Sequence, residues 1–512
     1  MANTRKLALL KVRNNKIMTL ILSLALIFAP VTSSAIYTLG AFYTNAQQLV
    51  YSYIGGIYSG PLGYASGAVF STGSGDSMFS TPAGVAIDAV NDLIYVTDQA
   101  NYRISKFVLS TGALVGSIGK TSLAGGTCTL GIQATWCKGG TFSYATIDGG
   151  FNSPRGIAVD LTNDFLFVND TSNGRIQKFV LSTGAFVGAI GKSSATGTCL
   201  AGKQAVWCTG GTFVVGSAGD GTFGTVTGVV ADATRNRLYV SDTSGHRVHQ
   251  FNLATGAFIG SIGKSTATGT CVAGKQAGWC TGGTFSFGSA DGYFTNPQAV
   301  SLDETNNFIY VTDGNYRVQK FVGSTGAFVG TIGKSTAAGT CVAGKQTAWC
   351  TGGTFSTGTG DGMFSGATHI AADAAHDRLY VMDINRVQQF ILSTGAFLGY
   401  IGGTSAASGT CVSGKQTAWC AGATTVVAGS SDGYFSLVQG LAVDTTNNKI
   451  YVTDSTSSKL QVFSSTGAFV GALGKTVVAL TNWSQTVVGT TNGPAKVCSI
   501  TLVAWPLIRQ IT

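Results

Sequence analysis

The sequence predicts an all-β protein, a six-bladed β-propeller with four antiparallel strands per blade, and three observations predict it. A strand-like run ending in aspartate recurs six times, as IYVTD, LFVND, LYVSD, IYVTD, LYVMD and IYVTD, closing at Asp98, Asp170, Asp242, Asp313, Asp383 and Asp454 with a spacing of 70 to 72 residues. Each unit holds four short alternating runs separated by Asn, Asp, Gly and Ser turns, namely GVAID, LIYVTD, RISKFVL and ALVGSIG in the first. The composition agrees, since 72 glycines, 44% hydrophobic and only 10% charged residues favour turns and paired strands over helices or a disordered polar chain. Six such sheets, none able to bury both faces alone, close most simply as blades around a central channel.

From the N-terminus, residues 1–35 read as a signal peptide. A basic stretch is followed by the apolar run Ile17 to Ala29 and the small-residue site Ser33-Ser34-Ala35. Its removal takes away Arg5, Lys6, Lys11, Arg13 and Lys16, so the net charge falls from +9 to +4. No dense Lys/Arg cluster survives, which argues against nucleic acid as a partner. The apolar C-terminal stretch Ser499 to Ile508 is too short to span a bilayer, so no transmembrane span is expected in the mature chain. The expected location is outside the cytoplasm: periplasmic, cell-surface or extracellular.

Residues 36–74 form an N-terminal segment able to close the ring, and QLVYSYIGG within it reads as an outer strand. The blades follow at about 75–119, 147–191, 219–263, 290–333, 360–402 and 431–474, and residues 475–512 form a tail able to add strands. Six blades and a mixed seventh both remain open at this level.

The run DGGFNSPRGIAVDLTNDFLFVNDTSNGRIQKFVLSTGAFVGAIG, from Asp148 to Gly191, resembles an NHL repeat. The pattern recurs in all six units, across residues 75–474 apart from inserted loops, and resembles the exported bacterial type. For fold the resemblance implies a propeller. For function it implies a range: RNA-binding and protein-binding scaffolds, extracellular sensor domains of bacterial kinases, and a few lyases.

Repetition separates scaffold from site, because a catalytic centre in a ring needs different groups at different blades. Of 21 aspartates, 18 stand at three repeat positions: the tetrad aspartates, the set Asp88, Asp160, Asp232, Asp303, Asp373 and Asp444, and the DG-x-F set Asp76, Asp148, Asp220, Asp291, Asp361 and Asp432. Glu304, the only glutamate, lies in a hairpin turn, which leaves no unique carboxylate pair for acid/base work. Arg103, Arg175, Arg247, Arg317, Arg386 and Lys459 open each third strand and read as partners of the tetrad aspartates.

The residues that break the repeat are Arg155 and His369 on the innermost strands and Tyr102, His246 and Tyr316 in the turns between second and third strands. They are the alternative catalytic candidates, for a lyase or hydrolase at the channel mouth. The amidating lyase of this fold class holds its metal with several histidines near Arg and Tyr. Here His249 alternates away and His376 sits in a turn on the opposite face, leaving two histidines where zinc wants three ligands, so neither metal nor other cofactor is expected.

Ten of eleven cysteines fall in five inter-blade loops of the pattern CVAGKQTAWC. The spacing predicts disulfides Cys128–Cys137, Cys199–Cys208, Cys271–Cys280, Cys341–Cys350 and Cys411–Cys420, each worth roughly 3 kcal/mol by chain entropy and local to its loop. The odd Cys498 reads either as a bridge between chains or as a buried thiol. All five loops are expected to project from one face.

The loops carry nine lysines and no acidic residue. Trp136, Trp207, Trp279, Trp349 and Trp419, with Lys203, Lys275, Lys345 and Lys415, are therefore the expected binding face. The reading is a non-catalytic binding or adhesion scaffold presenting rigid Lys/Gln/Trp loops to a protein or cell-surface glycan. The alternatives are the channel-mouth enzyme and a self-assembling envelope protein whose partner is a second copy.

Overall fold

The computed structural model describes residues 64–66, 69–422 and 425–477, which belong to one compact unit. The signal segment, Cys498 and most of the predicted N-terminal segment and tail lie outside the described residues. Each blade is an antiparallel meander. In blade two the strands are Pro154–Asp160, Phe165–Asp170, Arg175–Val180 and Phe186–Ser193, hydrogen-bonded in chain order. The first strands of successive blades neighbour one another in a closed ring, with blade one beside blade six, so there are six blades and no seventh among the described residues.

The apolar core sits between blades. Six clusters of buried residues occupy the six seams. One joins Phe167, Ile176 and Ile190 of blade two to Phe223, Val240 and Phe251 of blade three, and another joins Tyr451 and Leu473 of blade six to Val85 and Phe107 of blade one. Alternation explains this, because each strand sends one set of side chains to each neighbouring blade and neither face meets water.

Every blade carries the same buried clamp. The tetrad aspartate pairs with the arginine opening strand three at 2.9 Å for Asp98–Arg103, 2.8 Å for Asp170–Arg175 and 2.8 Å for Asp313–Arg317. Arg175 Nη2 also donates to Ile147 O at 2.8 Å and Gly150 O at 2.9 Å, holding the turn that leads into the blade. In blade six Lys459 replaces arginine and donates to Ser430 O and Ser431 O. Burial pushes the Asp98 and Asp170 carboxyls up against the pull of their arginines, so the pair is a register device more than a source of net stability.

All six blades differ from expectation by carrying five or six strands instead of four, blades one to five through their inserted loops. The fourth strand runs past the third and is flanked by short strands from the inserted loop and from the segment leading to the next blade. In blade three, Lys264 pairs with Lys275 on one side and Ser286 on the other. The departure point is a glycine at φ between +142° and +149° in these blades (Gly119, Gly191, Gly263, Gly333 and Gly402), a region that β-carbon-bearing residues avoid.

The ring closes without a cysteine loop. Val69–Ser71 pairs with Lys475–Val477 of the last strand, and Ala65 pairs with Ala472. Tyr64 donates its hydroxyl to Leu109 O at 2.9 Å. GYASGAVFS thus stands where AWCTGGTFS stands elsewhere, with Tyr64 in place of tryptophan and Ala65 in place of the second cysteine.

Candidate functional site

All five disulfides form as paired in the sequence reading, with Cα–Cα separations of 4.9 Å. The loops, however, lie along the outer edge of their blades and do not project from a face. Thr331 donates to Cys350 O at 2.8 Å and receives from Cys350 N at 3.1 Å, while Lys334 and Ser335 pair with Lys345 and Gly344. Strand four is an outer edge with a row of open backbone groups, and the inserted loop satisfies and covers them.

The glutamine of GKQ is buried and spent within the loop, a correction to its place on the expected binding face. Gln346 accepts from Val342 N at 3.0 Å and donates to Val342 O at 2.7 Å and Gly344 O at 3.0 Å, as a buried amide must. Gln204, Gln276 and Gln416 hold their loops in the same way, and Gln133 does so in the first. A DG-x-F aspartate ties the other end down. Asp291 Oδ2 accepts from Gly352 N at 2.7 Å, and Asp148 Oδ2 from Gly210 N at 2.6 Å.

The tryptophans are half-buried stitches across the seams. Trp349 donates Nε1–H to Leu392 O at 3.1 Å and its backbone N–H to Thr394 O at 2.8 Å, both in blade five. Its ring packs 5.6 Å from that of Tyr310 in blade four. Trp136, Trp207, Trp279 and Trp419 repeat this against Leu181, Leu253, Gly323 and Ser465 carbonyls. Lys178, buried beneath the same seam, sits 3.5 Å over Phe165 and 5.5 Å from Trp207, and burial lowers it to about 8. The loop lysines also reach across: Lys203, Lys275, Lys345 and Lys415 lie 5.2 to 5.5 Å over Phe258, Phe328, Phe397 and Phe469 of the following blade.

What the loops leave open is aliphatic. The residue after the first cysteine is Leu200, Val272, Val342 or Val412, exposed by 58, 54, 50 and 50%, and in the first loop Leu130, two residues on, is 72% exposed. Sequence reasoning missed this ring, and its signal was an apolar residue at a fixed offset inside an otherwise Gly/Thr/Lys loop. The heads of Lys203 and Lys275 are exposed beside it, and those of Lys345 and Lys415 partly so.

The five catalytic candidates divide. Tyr102, His246 and Tyr316 occupy one repeat position, a left-handed turn residue at φ 54°, 53° and 62° in blades one, three and four. Tyr102 meets Tyr144 edge-on at 6.1 Å, and His246 meets Phe287 at 6.0 Å and accepts from Asn296 N at 3.2 Å. Tyr102 and His246 are thus engaged locally, Tyr316 is exposed, and burial lowers the His246 imidazole. His249 is a core residue, 2.8 Å from Ser261 Oγ and pushed down to about 4 by burial and by Arg247. His376 caps its turn at 2.8 Å from Asp373.

Arg155 and His369 lie on the first strands of blades two and five, three blades apart and so on opposite sides of the hub. Burial and then the Arg155 charge push the His369 imidazole down to about 3. First strands of neighbouring blades pack closely: a β-carbon on Gly84 would stand 2.2 Å from Arg155 O, and one on Gly440 1.9 Å from Ala83 O. Hydroxyls of second strands bind the first strand of the next blade, as Thr97 Oγ1 to Arg155 O at 2.8 Å and Ser241 Oγ to Gln298 O at 2.7 Å. Blades two and five place Asn169 and Met382 there instead.

Among the described residues no group of three or more His, Cys, Asp or Glu could hold a metal ion. Two clefts of about 260 and 230 Å³ lie in blades five and one, the first between the turn at Ile384 and Asn385 and the segment at Thr425 and Val426, the second around Lys120 and Tyr144.

Residues 79–107, 151–179 and 435–463, in blades one, two and six, match the NHL repeat family. No curated protein matches the chain. A chain in the solved "Crystal structure of Nidogen/Laminin Complex" matches at 13% identity and a TM-score of 0.36, covering 63% of this chain and 80% of that one. That likeness is too distant to bear on function. The closed ring of antiparallel meanders and the three matched segments together make this a six-bladed β-propeller that carries NHL repeats in blades one, two and six.

Proposed function

We propose that the protein is an exported binding scaffold whose rim, with its five disulfide-clamped loops, engages a protein partner by multivalency. The observation that carries this is the ring of exposed aliphatic side chains at Leu130, Leu200, Val272, Val342 and Val412, each on a loop already rigid before any partner arrives. A pre-ordered loop loses little entropy on binding, and five equivalent contacts on one body raise avidity without new chemistry.

The chemistry on offer favours an acidic, amphipathic protein surface over a glycan. The loops hold lysines and no carboxylate. Each indole, which would otherwise be free to stack on a sugar ring, has one side taken up by Tyr95, Phe167, Tyr239, Tyr310 or Tyr380. Five disulfides fit an oxidising compartment, and no helix among the described residues is long and apolar enough to cross a membrane. The disulfides, with the N-terminal reading, support a periplasmic, cell-surface or extracellular location.

The test measures the full chain against dense arrays of acidic amphipathic peptides, neutral peptides and glycans. Wild type should bind the acidic peptides. Combining Leu200→Ser, Val272→Ser, Val342→Ser and Val412→Ser should weaken that binding at least tenfold with Tm unchanged. Undiminished binding by the variant, or capture of glycans alone, overturns the proposal.

A further inference from the structure

Five of the protein's buried arginines have a carboxylate partner: Arg103, Arg175, Arg247, Arg317 and Arg386 each pair with the tetrad aspartate of their blade. Arg155 has none among the described residues. It is the basic residue of the hub, partly buried on the first strand of blade two, and its Nε is shut off from solvent with no hydrogen-bond acceptor. Burial alone lowers its affinity for the proton, with no carboxylate nearby to restore it.

The groups around the hub are short of partners in the same sense. His369 Nδ1 and Thr368 Oγ1, adjacent on the first strand of blade five, are buried without one. So are both amide atoms of Asn169, whose side chain lies where a β-carbon on Gly156 would stand 2.6 Å from it. Buried polar groups are normally satisfied, and a cation moved out of water without a counter-charge is unfavourable. At the Arg155 position the other blades carry Ala83, Thr227, Gln298, Thr368 and Gln439, none of them charged, and His369 stands one residue further along, where the other blades carry Gly or Ala.

We propose that the hub between Arg155 and His369 binds a small oxyanion of the carboxylate or phosphate class. The guanidinium supplies a fork for two oxygens, and the Thr368 hydroxyl and the His369 ring N–H can donate from across the ring. A metal cation is disfavoured at the same place by the Arg155 charge. The site is independent of the rim, since none of its residues belongs to a cysteine loop.

Isothermal titration of the full chain with sodium phosphate and, separately, sodium succinate, at ionic strength matched with sodium chloride, tests this. Wild type should give saturable binding with at least one of the two and a raised Tm, and the His369 ring proton resonances should move on titration. Phosphate alone would assign the phosphate class and succinate alone the carboxylate class. Arg155→Gln should weaken binding at least tenfold, Arg155→Lys less, and Lys345→Gln not at all. The Tm of each variant without anion reports its folding. No saturable binding by wild type to either anion, undiminished binding in a folded Arg155→Gln, or an equal loss in Lys345→Gln overturns the proposal.

Discussion

The rim and the hub are built by opposite rules. At the rim one solution is copied five times: a disulfide, a buried glutamine, a tryptophan stitch and an aspartate tether, with the same partners at nearly the same distances. At the hub the copies fail. Of two successive first-strand positions, one holds Arg155 in blade two and the next holds His369 in blade five, and the hydroxyl that binds the neighbouring blade becomes Asn169 or Met382. A group repeated in every copy is there for architecture. Buried groups that stand in one copy alone and lack a partner, Arg155 Nε and His369 Nδ1, mark where the repeat has been bent toward something else.

This contrast can be broken most forcefully at the clamps. Arg175→Ala leaves the Asp170 carboxylate buried beside the 2.8 Å contact it has lost and frees two backbone carbonyls, so it should cost about 3–5 kcal/mol, read as a fall in denaturation midpoint. A loss under 1 kcal/mol would remove the clamp from the scaffold. Next in size, replacing Cys341 and Cys350 together by Ser should cost about 3 kcal/mol by chain entropy. Hydrogen exchange should place the loss in residues 336–356, with the seam cores unmoved.

Trp349→Ala should cost about 2 kcal/mol, less than a fully buried aromatic because the ring is half-exposed, and should loosen blade four against blade five. If it instead abolished partner binding with unchanged stability, the tryptophans would belong to the face and not to the stitching.

The smallest effect is one of pH. Burial and Arg155 lower His369 from 6.5 to about 3, so the folded hub holds the neutral ring. The unfolded chain takes up a proton below about pH 6.5, hence stability present above that pH is lost as pH falls toward 3, and His249, lowered to about 4, adds with the same sign. His369→Gln should flatten the Tm profile between pH 6.5 and 4. A profile parallel to wild type would show that His369 titrates normally and that the hub is wetter than its geometry implies.

Much of this was legible in the chain before any coordinates. Alternating runs between Asn, Asp and Gly turns define strands locally, and the tetrad aspartate with the arginine five residues later, Asp98 with Arg103, reads as an ion pair because both positions recur together. The ten cysteines spell out five bridges through their spacing. Tyr64 was hidden because its segment carries neither the tryptophan nor the cysteine that marks the other five stitches. The aliphatic ring was hidden because lysine, glutamine and tryptophan looked like the chemical groups on offer, whereas two of the three are consumed indoors.

By itself, then, the sequence determined the six repeat units, the four core strands within each and the disulfides, because these rest on periodicity and on contacts between near neighbours in the chain. Only the tertiary structure decided that the loops cover the outer edges, that the indoles face inward across seams, and that Arg155 and His369 stand on opposite sides of one hub. The reason is that an open strand edge takes whatever backbone lies within reach, and residues three blades apart come to share a hub only when all six blades have closed.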